Sequence, residues 1–232
     1  MKSSLLTLFL SFVSLNCSVG AELRVYPQEI RLHSTEATQT VVVQELQSDR
    51  VMTQVVSGVV LRIEHSDIAK VEGNKVYPLK NGETSLIATR GEVSIRVPVK
   101  VTGQQQEFRW SFRNHVESVL SKAGCNGGAC HGARAGQNGF RLTLFGFDLA
   151  ADYSYLTRQA RGRRIVPSDP GRSLLLTKPT GALPHKGGVR LDVNEVEYRV
   201  LAEWIAAGAP GPADEDPVIE RLEVLPPLAM QQ

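Results

Sequence analysis

The stretch Val93-Ser94-Ile95-Arg96-Val97-Pro98-Val99-Lys100-Val101 runs through Thr102-Gly103-Gln104-Gln105-Gln106 into Glu107-Phe108-Arg109-Trp110-Ser111-Phe112-Arg113-Asn114-His115-Val116-Glu117-Ser118-Val119-Leu120, and it divides the chain. Up to Val101 an apolar side chain recurs at every second residue, the period of a strand with one face on a core. Beyond the three glutamines, Phe108, Phe112, Val116, Val119 and Leu120 fall at helical spacing instead. A change of period across a polar hinge predicts a domain boundary, with an all-β part before it and an all-α part after it. Pro98 points to the outward face and has no ladder donor, which predicts an edge strand or a bulge there.

Toward the N-terminus the β reading continues. Short β-prone runs occur at Leu23 to Tyr26, Thr40 to Val43, Val51 to Val56 and Thr84 to Ala88. Turn residues separate them at Ser48-Asp49, Gly73-Asn74 and Asn81-Gly82. Several short strands within about eighty residues argue a sandwich spanning 22–103, followed by a linker at 104–106. Leu23-x-Val25-x-Pro27-x-x-Ile30-x-Leu32, Ser66-Asp67-Ile68-Ala69-x-Val71 and Asn81-Gly82-Glu83-Thr84 resemble the bacterial Ig-like group 2 domain. That resemblance implies an Ig-like β-sandwich serving as spacer or adhesion module. His33 and His65 stand alone in this part, without cysteine or paired carboxylates nearby, and read as surface or core residues.

Toward the C-terminus, Gly124 ends the first helical pattern. A second runs from about Val193 to Ala207, with Asp192 as cap, Glu195 completing a capping-box-like pair and Gly208 closing it. Its apolar stripe is Val196, Val200, Leu201, Trp204 and Ile205. A shorter helical run begins at Ser173 with Leu174 to Leu176 turned inward. The expected architecture is therefore multidomain, an N-terminal all-β Ig-like sandwich plus a C-terminal all-α domain at 107–213. A tail at 214–232 opens acidic and turns apolar.

Residues 1–21 read as a secretory signal. Lys2 precedes an apolar run from Leu5 to Val13, and small residues lead to a cleavage site near Ala21. Cys17 also allows a lipidated N-terminus, but Asn16 directly before it suits that poorly, so cleavage near Ala21 is the favoured reading. The mature chain is then expected in the periplasm or outside the cell, with no transmembrane segment after signal cleavage. A formal net charge of +2, with no basic stripe interleaved with aromatics, argues against a nucleic-acid partner.

Signal removal leaves two cysteines, in Gly124-Cys125-Asn126-Gly127-Gly128-Ala129-Cys130-His131-Gly132. A c-type haem needs two thiols for its vinyl groups and a histidine directly after the second. The usual spacing has two residues between the cysteines and this chain has four, so the extra pair must loop outward, with Gly127-Gly128 as permissive backbone. Three other readings stay open on these residues. Cys125 and Cys130 could form a disulfide, bind zinc together with His131 and His185, or serve as free redox thiols.

The wider context resembles planctomycete-type cytochrome c domains. The features are Phe112-x-x-x-Val116-x-x-Val119-Leu120, Gly124-Cys125-Asn126, Cys130-His131-Gly132, Val166-Pro167-x-Asp169-Pro170-x-x-Ser173-Leu174-Leu175 and Glu203-Trp204-Ile205-Ala206-Ala207-Gly208-Ala209. This implies an all-α cytochrome c-like domain, with one covalent haem c on Cys125 and Cys130 and His131 as proximal iron ligand. The family's methionine ligand is missing, since the matching turn is Ala182-Leu183-Pro184-His185 and no methionine lies between His131 and the last helix. His185 is the one histidine there and becomes the candidate distal ligand. Arg161, Arg163 and Arg164 could pair haem propionates or form a solvated turn. His115 could reach the haem edge or be an ordinary helix histidine, and Tyr153, Tyr155 and Trp204 read as core or haem wall.

No constellation for hydrolysis or group transfer stands out. The expected function is therefore an exported electron carrier, rather than an enzyme, working with a redox protein partner of the cell envelope. The alternatives are a non-redox structural or adhesion protein stapled by a Cys125–Cys130 disulfide, and a haem enzyme or sensor with an open sixth site.

Overall fold

The computed structural model describes residues 22–47, 50–55 and 57–222. The expected signal at 1–21, with Cys17, the Ser48-Asp49 turn, Val56 and most of the apolar tail lie outside the described residues. The chain forms two compact units, one running to Phe108 and the other beginning at Arg109.

The first unit is built from strands. β1 (Glu22–Tyr26), β4 (Val42–Gln47) and β5 (Arg50–Gln54) form one sheet. β2 (Ile30–Leu32), β10 (Val93–Val101), β9 (Gly82–Arg90) and β6 (Val60–Ile63) form a second. β3 (Gln39–Thr40), β8 (Lys75–Pro78) and β7 (Ala69–Glu72) form a third. One face of each contributes to a common core containing Leu23, Val25, Ile30, Val43, Val76, Leu86 and Val99. Alternation is the cause: Val97, Val99 and Val101 are buried while Pro98 and Lys100 between them are exposed.

Pro98 is accommodated by timing along the strand. β10 pairs with β9 over its whole length, but its parallel pairing with β2 starts only at Val99, opposite Ile30. Up to Pro98 the strand is thus an edge, and from Val99 it is interior, so the missing donor is not asked for on the β2 side. Asn81 Oδ1 accepts the backbone N–H of Gln104 at 2.9 Å, tying the start of the glutamine run back to this unit.

The second unit contains only short helices. A π-helical turn at Phe112–Val116 leads into α1 (Glu117–Lys122), followed by α2 (Leu149–Thr157), α3 (Leu174–Thr177) and α4 (Val196–Ala206). Ser111 caps the first turn, its hydroxyl accepting from Asn114 N at 3.2 Å. α4, at eleven residues, is the longest helix described. It starts after Glu195 because the Asp192 carboxylate takes the Asn194 N–H at 2.9 Å, a local turn that competes with helix at the expected start. α1 and α4 flank a core of Phe112, Val116, Leu120, Leu156, Leu176, Leu201 and Trp204. The Phe112 and Trp204 rings lie 5.6 Å apart, and Lys122 pairs with Glu197.

These elements overturn the expected fold class, an Ig-like sandwich joined to an all-α cytochrome c-like domain. The described chain is dominated by three sheets, and its second unit is mostly irregular backbone with a few short helices. The reason lies between Gly124 and Pro184, where glycines and prolines recur too often for helices to propagate. Within it only the short α2 and α3 form, sending Leu156, Leu175 and Leu176 into the core that α1 and α4 share. Among the described residues no helix is long and apolar enough to cross a membrane.

Candidate functional site

The site is built on the end of α1. Gly124, at φ +72°, ends the helix, and Cys125 N still donates to Leu120 O at 2.8 Å. The chain then folds over itself in a small closed loop. Cys130 N and Gly132 N each donate to Gly127 O at 3.0 Å, and His131 N donates to Cys125 O at 3.0 Å. The backbone of His131 is thereby returned to Cys125 despite the long spacing. A Cβ on Gly132 would lie 2.0 Å from Asn126 O, so only glycine allows the loop to close. Neither Gly127 nor Gly128 is left-handed; in this loop Gly124 supplies the left-handed turn and Gly132 the close approach.

Both thiols are free and partly buried. Cys125 packs against the core of the second unit. Burial pushes its thiol up to about 11, with the charge of Cys130 adding and that of Arg190 opposing. A thiol held protonated in this way is a poor nucleophile, which counts against a free redox thiol at Cys125.

His131 Nδ1 lies 2.9 Å from the Phe140 carbonyl. A carbonyl only accepts, so the proton sits on Nδ1 and the Nε2 lone pair is left for a metal. Burial lowers the pKa of His131, the Phe140 bond opposes this, and the charges of His185 and Arg164 add to the lowering. The neutral form, which binds metals, is favoured. His185 repeats the arrangement, its Nδ1 being 2.9 Å from the Gly188 carbonyl. The two imidazoles lie with ring centres 6.4 Å apart and planes 9° from parallel.

Behind His131 stands a stack that sequence reasoning missed. Phe140 lies 4.5 Å from the His131 ring, and the Arg164 guanidinium lies 4.3 Å from the Phe140 ring. Arg164 is buried and donates to the carbonyls of Tyr155, Gln159 and Gly139 at 2.9, 3.0 and 3.2 Å. Its donors are thus engaged by backbone, whereas Arg161 and Arg163 are exposed. No local pattern could have linked Gly139, Phe140 and Arg164. Asn126, between the cysteines, is also fully buried, its Nδ2 donating to Glu117 Oε1 at 2.7 Å.

The remaining candidates lie elsewhere. His115 Nδ1 accepts from Ser111 N at 2.9 Å, and its ring meets Trp110 edge-on. Tyr153 donates to Ala209 O at 2.9 Å and Trp204 to Pro210 O at 2.9 Å, so both close the C-terminal end of α4. Tyr155 is engaged by Arg141. In the first unit His33 contacts the Thr102 hydroxyl at 3.0 Å. A cleft of about 390 Å³ is lined by Thr180, Val189, Arg190, Leu191, Asp192 and Val193, and neither cysteine nor either site histidine lines it.

The residues fit a covalent haem. Two imidazoles that share one metal through Nε2 have ring centres no more than about 6 Å apart, from metal–nitrogen bonds of roughly 2 Å. The observed 6.4 Å is of that size, both Nδ1 atoms are already committed, and two thiols lie in the loop that His131 closes. Leu144 and Phe145, on a turn whose Phe145 N–H donates to Asn126 O, and Leu183 and Val189, flanking His185, are exposed apolar side chains of the kind an apolar macrocycle requires. The zinc set of Cys125, Cys130, His131 and His185 is not assembled: among the described residues no three His, Cys, Asp or Glu side chains are grouped to hold a metal ion.

No protein-family model matches the chain, and no curated protein matches it. Among solved structures, domains 4 and 5 of the S-layer protein SbsC are similar with a TM-score of 0.31 and 16% identity, over 36% of this chain and 53% of that one. Domains 5–6 of SbsC are similar with a TM-score of 0.29 and 13% identity, over 39% and 49% respectively. The chain spans about half the length of these two structures, and at such scores the likeness carries no argument about fold or role.

Proposed function

We propose that this chain is an exported haem protein that carries electrons in the cell envelope. Cys125 and Cys130 would hold one haem c covalently, and His131 and His185 would bind its iron. The observation that carries this reading is the near-parallel pair of imidazoles, each with Nδ1 tied to a carbonyl, beside a loop with two unpaired thiols. The likeness of Gly124-Cys125-Asn126 and Cys130-His131-Gly132 to cytochrome c attachment sequences supports it.

Haem, when bound, supplies reversible one-electron exchange at its iron. The chain's own residues orient and shield it. Phe140 fixes the His131 ring through its carbonyl, and the Arg164–Phe140 stack backs that ring. Two imidazole ligands would set a potential below that of a histidine–methionine site. The β unit serves as spacer or docking unit for a redox partner. Export follows from the reading of residues 1–21 as a signal.

The test is to purify the protein after export from a host competent in haem attachment. The expected product is coloured, gains the mass of one haem, and keeps its colour in acid-acetone. A colourless product two hydrogens lighter than the bare peptide would mean a Cys125–Cys130 disulfide and a purely structural protein.

A further inference from the structure

Beneath the cysteine loop two buried polar groups are each only half satisfied. Asn126 is fully buried and Glu117, on the inner face of α1, is 6% exposed. Asn126 Nδ2 lies 2.7 Å from Glu117 Oε1 and 2.7 Å from Ser121 Oγ. The other atom of each group, Glu117 Oε2 and Asn126 Oδ1, is buried without a hydrogen-bond partner among the described residues. Both orphans are oxygens. An ionised carboxylate and an amide oxygen only accept, so a charged Glu117 would leave both unsatisfied at once. A single proton removes both defects, because a carboxylic acid set against a carboxamide forms two antiparallel hydrogen bonds.

We propose that Glu117 is carried as a neutral acid whose Oε2–H donates to Asn126 Oδ1, closing a two-bond ring that positions the Cys125-to-His131 loop on α1. The surroundings favour the neutral form. A Cβ on Gly146 would come within 2.7 Å of Glu117 Cγ, so the backbone of the 144–146 turn lies against the carboxyl's stem and keeps water away. The titratable groups facing it are Cys125 in the loop and Asp152 on α2, and Asp152 is itself buried and accepts from Thr143 N and Oγ1 at 2.5 Å each. Burial, with Asp152 adding, pushes Glu117 up to about 7, although the bond from Asn126 opposes this. Asn126 passes the constraint to the site through its backbone, since its carbonyl accepts from Phe145 N at 3.3 Å and is the atom against which Gly132 is pressed. Glu117 is therefore a positioning residue, and the ring forms whether or not haem is attached.

The experiment is amide hydrogen exchange on the full chain from pH 5 to 7, corrected for intrinsic rates. It follows the loop-closing N–H groups of Cys130, His131 and Gly132. In the wild type their protection should fall by up to about tenfold per pH unit, because the open loop releases the proton more readily than the closed one. Glu117→Gln presents an N–H to Asn126 Oδ1 at every pH, and its protection should stay flat. A flat wild type, or a slope that persists in Glu117→Gln, overturns the proposal. Should Glu117→Gln fail to fold, ¹³C NMR of wild type labelled at the glutamate δ-carboxyls decides: a buried glutamate resonance at the protonated position at pH 6 supports the ring, and its absence overturns it.

Discussion

The imidazoles of His131 and His185 lie 6.4 Å apart, centre to centre, with planes 9° from parallel, although a long, glycine-rich stretch of chain separates them. Each is oriented by a backbone carbonyl at 2.9 Å, from Phe140 and Gly188 respectively. Neither orientation relies on another titratable side chain.

This pairing makes His185→Ala informative. If both imidazoles hold one iron, the reduced wild type should bind carbon monoxide slowly or not at all, and the variant should bind it readily. A His185→Met variant should raise the midpoint potential, since thioether ligation favours the reduced iron. Equal carbon monoxide binding in wild type and His185→Ala would remove His185 from the iron.

Gly132→Ala places a methyl carbon 2.0 Å from the Asn126 carbonyl oxygen, a backbone atom that cannot swing aside. The loop must open to admit it. We expect a loss of about 2–4 kcal/mol in denaturant unfolding, the range of severe steric substitutions. Haem attachment should fall with it, because His131 would no longer return to Cys125. Gly128→Ala, in the same loop, is the control, since its backbone is not left-handed and a Cβ there meets only Leu144 Cδ1 at 3.9 Å.

Arg164→Lys should not restore what Arg164→Met loses. The guanidinium reaches the Tyr155, Gln159 and Gly139 carbonyls together, and a single ammonium cannot match that spread. Each variant should cost about 2–3 kcal/mol by thermal unfolding, the scale of a lost charge-assisted bond in a buried site. Equal stability of wild type and Arg164→Lys would show that charge alone matters there.

Glu117 sets a direction for stability against pH. Its folded value of about 7 lies above the ordinary 4.5, so the folded chain holds a proton that the unfolded chain releases. Its contribution is complete below about 4.5 and is lost as pH rises toward 7. The loss amounts to up to about 3 kcal/mol in all, at roughly 1.4 kcal/mol per pH unit. Subtracting the Glu117→Gln curve from that of the wild type isolates this term. A difference that grows in the opposite direction would assign Glu117 as an ion in the folded state.

The parts legible in the chain were those that local pattern controls. The alternation at Val97, Val99 and Val101 placed those side chains in the core, and the α4 stripe did the same for Val200, Leu201, Trp204 and Ile205, but not for Val196, which is exposed at the first turn. Pro98 marked a strand with an open side, though not that β2 would cover the strand from the next residue onward. Between the two helical patterns only the run after Ser173 was legible, as α3, and the rest was not legible as structure. Its glycines and prolines erase periodicity, and its path is held by bonds between distant residues, such as Thr143 with Asp152 and Gly139 with Arg164. The all-α expectation failed on that stretch.

By itself the order of residues determined which atoms with chemistry stand side by side in the chain: two thiols, an imidazole directly after the second, and the asparagine between them. Such adjacency is covalent and survives any folding. Only the tertiary structure decided that His185 comes to face His131, that Arg164 backs the Phe140 ring, and that the oxygens of Glu117 and Asn126 are sealed from water. Those meetings depend on how loops without a repeating pattern are pulled together by packing and by bonds across the chain. One-dimensional periodicity carries no record of that path.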